Sequence, residues 1–255
     1  MTSRAALTAI AIACTIATAG CGLGAGKATS GIVTLTVTRD FGTAPVGSVT
    51  EKSIPGSQTV LRMLERSFKV ATRYSGGFVE SIDGHAGSSS RLDWFYYVNG
   101  IEASLGAAGT SINKGDRIWW DLHDWTATDS IPAVVGSFPE PFIHGINGRR
   151  YPTTLECATD TDTACQRVTS ELDAIGVKVA SQGLGAGGSG TDSLAVVVGT
   201  WKDVQGEFAA SMIQAGPASS GIYARFSGRD GSVLALLNPH GQVVRTLGAG
   251  AGRVQ

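Results

Sequence analysis

Trp94-Phe95-Tyr96-Tyr97-Val98-Asn99-Gly100 is the stretch on which the fold turns. A run of aromatic residues closed by a valine suits the pleat of a strand better than a helix. Asn99-Gly100 then supplies φ > 0 for a tight turn, so the strand folds back on itself. Alternation sets Trp94, Tyr96 and Val98 on one face and Phe95 and Tyr97 on the other. A second strand of the same kind, residues 116–123, is entered through Lys114-Gly115. It separates Ile118, Trp120 and Leu122 from Trp119, Asp121 and His123.

Working outward, residues 31–38 alternate Val33, Leu35 and Val37 against threonines, the pattern of a half-buried strand. Asp, Gly and Pro in residues 39–47 mark a turn, and residues 49–54 read as a weaker strand. After Pro55-Gly56-Ser57 the spacing becomes helical. Val60, Leu61, Leu64, Phe68 and Ala71 share one stripe, Ser57 is the expected N-cap, and Gly76-Gly77 is the expected stop. Residues 78–82 read as the third strand. The order β-β-α-β-β-β predicts one helix packed across a mixed sheet, a β-grasp domain in an α+β protein.

These residues also carry a family resemblance. The run from Trp94 to Gly100, then Gly106-Ala107, then Lys114-Gly115-Asp116-Arg117-Ile118, resembles the transcobalamin C-terminal-like domain, over about residues 32–123. The resemblance implies a β-grasp fold related to soluble-ligand-binding modules. In transcobalamins this domain closes over cobalamin against a large α-helical barrel. No stretch of the chain could form that barrel, so cobalamin is implied as a ligand at most, and no cofactor is expected.

Four of the five tryptophans lie between residues 94 and 125, which concentrates the aromatic surface in one sheet. One helix covers one face only. The other rings must be covered by another segment, for which residues 125–142 with Pro132, Pro139 and Pro141 are the candidate, or by a planar or apolar ligand or a partner. The candidate ligand-binding residues are Trp94, Phe95, Tyr97, Trp119, Asp121, His123 and Trp125. Asp121, His123 and Asp124 form the densest titratable cluster, which with one more group could hold a divalent metal; a solvated strand end is the plainer reading, and no metal is assigned.

Residues 143–255 read as a second small α+β domain. A strand at 150–157, a helix at 163–175 and a strand at 177–180 precede the glycine-rich 183–190, which reads as a linker. It lacks the Gly-Lys-Ser/Thr ending of a phosphate loop and precedes a strand. Leu194-Ala-Val-Val-Val198 has the continuous apolar character of a central strand. A helix at 201–215 and strands at 222–226, 233–237 and 243–247 complete a mixed sheet.

Residues 1–20 read as a secretory signal with Arg4 in the n-region, ahead of Thr18-Ala19-Gly20-Cys21, which resembles a bacterial lipobox. Cys21 would then carry a thioether-linked diacylglycerol, with residues 21–31 a flexible tether; plain cleavage nearby is the alternative. The anchor would hold the protein on the extracytoplasmic face of the cell membrane. Cys157 and Cys165 are left to pair in that oxidising compartment. A formal charge of −1 argues against nucleic-acid binding. No catalytic signature is present, so the expected role is a non-catalytic small-molecule-binding module, accessory to uptake of cobalamin, another corrinoid or another vitamin. The alternatives are a module that docks a membrane transporter or envelope protein and, as a minority reading, a hydrolase with a titrating group among Asp121, His123 and Asp124.

Overall fold

A computed structural model of the protein describes residues 28–88, 90–132, 134–159, 161–186, 192–227 and 232–248. The signal, Cys21 and most of the expected tether lie outside these residues, as does the later part of the glycine-rich 183–190 segment. The first strand already runs at Thr29, where the tether was expected to continue. Strand β1 (Thr29–Arg39) buries Val33, Leu35 and Val37, as its alternation requires. Strand β2 (Ala44–Ile54) returns antiparallel to it. The turn between them places Asp40, Phe41 and Gly42 in the left-handed region, with φ of 55°, 57° and 82°.

Helix α1 (Val60–Ser67) buries Val60, Leu61, Met63 and Leu64. Thr59, not Ser57, is its N-cap, and its side chain accepts from Arg62 N–H. The apolar stripe predicts a helix through Ala71, but the chain becomes extended at Phe68. Strand β3 (Val70–Arg73) instead pairs with β4 (Phe78–Ile82), which pairs with β5 (His85–Ala86). The Lys69 N–H donates to Asp83 Oδ1 and the Asp83 N–H to Lys69 O, and this pairing outweighs the helical spacing. Residues 78–82 are thus a strand, but of a separate ribbon rather than the main sheet.

Strands β6 (Leu92–Val98), β7 (Ile101–Glu102) and β8 (Arg117–Asp124) complete a five-stranded sheet in the order β2-β1-β8-β6-β7. β1 runs parallel to β8 and every other neighbour is antiparallel, so the sheet is mixed, in the β-grasp arrangement. Its core face carries Val33, Leu35, Val37, Trp94, Tyr96, Val98, Ile118, Trp120 and Leu122 against α1. The β6–β7 turn has Asn99 and Gly100 at φ 53° and 79°. Asn99 is also wholly buried. Its Nδ2 donates to Asp116 Oδ1 and Gly145 O, and its Oδ1 accepts from Arg117 N–H.

In the second half β9 (Thr153–Cys157) lies at the centre of a parallel sheet. Helix α2 (Thr163–Ala174), capped by the Asp162 side chain, connects it to β10 (Val179–Gly183), and β11 (Leu194–Val198) forms the other edge. The apolar run 194–198 is therefore an edge strand, not the central one; β9 is the strand buried on both faces. Cys157, the last residue of β9, is disulfide-bonded to Cys165 in the first turn of α2, with Cα atoms 6.2 Å apart. The expected helix over 201–215 is divided into α3 (Trp201–Val204) and α4 (Phe208–Ala215), with Gly206 in the break, and α5 (Pro217–Ser220) follows. Strands β12 (Ala224–Ser227), β13 (Val233–Leu237) and β14 (Val243–Gly248) form an antiparallel meander. The protein is α+β throughout, but the strands of this half divide into two sheets where one mixed sheet was expected. β9 makes no pairing with the meander because both its edges are taken by β10 and β11.

Candidate functional site

The two faces of the aromatic sheet have different fates. On the face away from α1, Tyr97, Asp121 and His123 are 1%, 0% and 2% exposed. Asp121 accepts from Thr38 Oγ1, from Phe41 N–H at 2.9 Å and from Gly42 N–H at 3.1 Å, and shares a hydrogen bond with His123 Nδ1 at 2.9 Å. Trp119 Nε1 donates to Thr38 Oγ1 at 2.7 Å, which extends the network across β1. The His123 ring is stacked between Phe41 and Phe95, and Trp119 packs on Tyr97. Burial raises the Tyr97 hydroxyl well above its ordinary value.

The cover of this face is internal. Phe41 comes from the β1–β2 turn and itself stacks on Tyr223 of the second half. Within the 125–142 segment, Pro132 and Val134 lie beside β7, where Glu102 N–H donates to Pro132 O and Val134 N–H to Gly100 O. Thr128 joins that segment to Tyr223 by a hydroxyl hydrogen bond. Trp125 is half-buried past the end of β8, its backbone N–H bonded to Arg91 O. Asp124 turns outward to Thr126 Oγ1, Thr126 N–H and Arg91, which lower its carboxyl to about 2. Among the described residues no group of three His, Cys, Asp or Glu side chains is placed to hold a metal ion. Of the seven residues singled out for ligand binding, Tyr97, Trp119, Asp121 and His123 meet in this closed network, with Phe95 stacked on its histidine.

An opening exists on the other face. An eight-residue helix is about 12 Å long, whereas five strands span about 19 Å, so α1 cannot roof the whole sheet. Loops complete the roof. The first N–H groups of α1 are taken by one of them, Val60 by Thr110 O and Leu61 by Ala107 O, each at 3.0 Å. That loop and the turn at Gly76-Gly77 contribute glycine and alanine where larger side chains would fill the seam. A cavity of about 180 Å³ remains, lined by residues 76–79, Ala103, Gly106, Ala107, Trp94, Phe95, Tyr96, Glu102 and Trp120.

The polar groups of its aromatic wall are unequally satisfied. Trp94 Nε1 donates to His85 O at 3.1 Å. The Tyr96 hydroxyl donates to Leu105 O and is 2.7 Å from Thr110 Oγ1, while burial raises its pKa. Trp120, stacked on Tyr96 with centroids 4.8 Å apart, has its indole N–H buried with no acceptor. A buried donor without a partner costs about 1–3 kcal/mol. Of the lining residues Phe78 is 39% exposed; Tyr74 and Leu105, which precede the lining turns in sequence, are 85% and 60% exposed, and Tyr74 holds a left-handed φ of 52°. Sequence reading singled out Trp94 and Phe95 but missed Tyr96 and Trp120. The available signal was the cluster of small residues, Gly76-Gly77 and Gly106-Ala107.

Residues 57–124 match the family described as domain of unknown function (DUF4430). The match covers α1 to β8, within the stretch that resembles the transcobalamin C-terminal-like domain. No curated protein matches the chain. Among solved structures, a proposed metal-binding protein from Ruminococcus gnavus ATCC 29149 is similar at 18% identity, covering 37% of this chain and 97% of that one, with a TM-score of 0.29. Haptocorrin in complex with Cbi is similar at 15% identity over 38% of this chain, with a TM-score of 0.30. The chain spans 26% of the haptocorrin chain.

Proposed function

We propose that the protein is a non-catalytic, envelope-tethered module that binds a small molecule in the cavity beside Trp120. The observation that carries this reading is a cavity of about 180 Å³ walled by the aromatic side chains of Trp94, Tyr96 and Trp120. The lipobox-like Thr18-Ala19-Gly20-Cys21 supports the tether. Cys21→Ala should release the protein from the membrane fraction; membrane association unchanged by the substitution would remove the anchor. Titration with cobalamin and other corrinoids, followed by tryptophan fluorescence and calorimetry, tests the vitamin version. A corrin ring is far larger than the cavity, so such a ligand would engage it only through a projecting group. Unchanged signals at high corrinoid concentration would discard that version and leave smaller ligands.

A second reading, docking of an envelope partner, is favoured by the exposed Phe208 on α4 and Phe226 and Val244 on the β12–β14 sheet. Recovery of a specific membrane protein from solubilised envelopes, lost on Phe226→Ala, supports it. Recovery unchanged by that substitution counts against it.

A further inference from the structure

We infer that the end of the main sheet at which β1 begins is a membrane-contact face, with exposed apolar side chains entering the headgroup region of the bilayer and Lys114 and Arg117 pairing with anionic lipid phosphates. This depends on the Cys21 anchor proposed above and says which end of the protein meets the lipid.

Topology gathers the residues of this face. β8 runs parallel to β1 and β6 antiparallel to β8, so the start of β1, the entry to β8 and the Asn99-Gly100 turn share one end of the sheet. Gly115 N–H donates to Ile32 O at 2.8 Å, and the Lys114 side chain lies against Gly31. Ser137 packs on Gly100, and Val134 N–H bonds to Gly100 O, which brings Val135 and Phe138 to the same end.

The surface so formed is apolar and cationic. Ile32, Val135 and Phe138 are 59%, 43% and 52% exposed. Lys114 and Arg117 are exposed and join no ion pair among the described residues. The acids close to them are withdrawn. Asp116 is buried and bonded to Asn99 and Asn113, and Glu140 is buried and bonded to His144. At the other end of the sheet the sign leans the other way, with Asp40, Asp93 and Asp124 beside Arg39 and Arg91. A chain of formal charge −1 is thus polarised along its main sheet. Apolar side chains flanked by unpaired cations match acyl chains beneath anionic headgroups.

Reach decides between the two ends. The chain from Cys21 to Ala28 spans at most about 25 Å. Strand β1, with 11 residues, is about 33 Å long. Were the Asp40 end seated on the lipid with β1 upright, Thr29 would stand beyond the reach of the tether. The end carrying Ile32 and Lys114 has no such limit, since β1 starts there.

The test uses the lipidated protein reconstituted into vesicles of phosphatidylcholine and phosphatidylglycerol, with flotation to verify that it is held. With Cys21 acylated and Cys157 bridged to Cys165, an introduced cysteine is the reactive thiol. An environment-sensitive fluorophore is attached at Phe138→Cys and, for comparison, at Thr43→Cys in the β1–β2 turn at the other end. Lipids spin-labelled near the headgroup should quench the probe at 138 severalfold more than the probe at 43, and emission at 138 should shift to the blue on reconstitution. Ile32→Cys gives the same reading if Phe138→Cys fails to fold. Joint Lys114→Glu and Arg117→Glu substitution, or omission of phosphatidylglycerol, should remove most of the difference. Equal or reversed quenching at the two positions, in protein that floats with the vesicles, overturns the face and leaves the anchor standing. A blue shift at 138 without quenching places a second copy of the chain there and overturns the bilayer as occupant. Quenching indifferent to both charge reversal and phosphatidylglycerol overturns the pairing with anionic lipid. Failure to float overturns the anchor, and this face with it.

Discussion

His123 Nδ1 lies 2.9 Å from Asp121 Oδ2, and the imidazole is held between Phe41 and Phe95, with ring centroids 4.6 and 4.4 Å away. The same carboxyl group accepts from the Phe41 and Gly42 N–H groups. One buried side chain thus orients the imidazole and also holds down the turn that covers it. Asp121→Ala leaves those two N–H groups, the Thr38 hydroxyl and His123 without their partner. It should cost about 3 kcal/mol or more of unfolding free energy, measured by urea denaturation. A cost under about 1 kcal/mol would mean that the face is held by its rings alone.

The roof of the cavity depends on a short helix. Leu64 is wholly buried in the core between α1 and the sheet, so Leu64→Ala should cost about 2–5 kcal/mol. Thr59→Ala removes the side-chain acceptor for Arg62 N–H and should cost about 1 kcal/mol. Thermal melts of both variants check the order; a cap variant worse than the core variant would contradict it.

The Cys157–Cys165 bridge closes a loop with a sequence separation of 8. A loop of that length should stabilise the second half by about 2.5 kcal/mol in the chain-entropy account. Reduction, or paired Cys157→Ala and Cys165→Ala substitution, should lower stability by that amount. Thiol titration of the unreduced, denatured mature protein should find neither of these two cysteines free.

Burial raises the Asp116 carboxyl above its ordinary value, against hydrogen bonds from the Asn113 N–H and the Asn99 side chain. A folded pKa above the unfolded one gives a contribution that is full below the unfolded value and lost as pH rises through the folded value. Unfolding free energy should therefore decline across that window as pH rises, and the Asp116→Asn variant should lack this decline. Comparison of slopes sets aside the cost of the amide itself. Carbon-13 titration of the Asp116 carboxyl checks the direction: a midpoint at or below that of free aspartate would overturn it.

Much of the fold was legible residue by residue. Alternation in 31–38, 94–98 and 116–123 identified β1, β6 and β8 and divided their side chains between the two faces, since a period of two is a local property of the chain. The turn at Asn99-Gly100 was legible for the same reason, but the part played by Asn99 in joining Asp116 to Gly145 was not. Those partners are 17 and 46 residues away. Ala71 shows the opposite failure. Its place on an apolar stripe is a local signal, and pairing between β3 and β4 overrode it. Likewise an apolar run marked 194–198 as a strand, whereas its place at an edge depended on where β10 settled beside β9.

The sequence by itself determined the long strands of the main sheet and the alternation of their side chains, the α+β class and the pairing of the two cysteines in the second half. Each follows from side-chain period, turn chemistry or cysteine arithmetic, all readable within a short window. Tertiary structure alone decided which aromatic face is open. The Asp121 and His123 face, richest in polar and ring chemistry, is sealed by Phe41 and an internal hydrogen-bond network. The face that packs against α1 retains a cavity, because its helix is too short for the sheet and small residues form the rest of its roof. Roofing is a matter of lengths and distances between elements far apart in the chain, and a local pattern carries no measure of either.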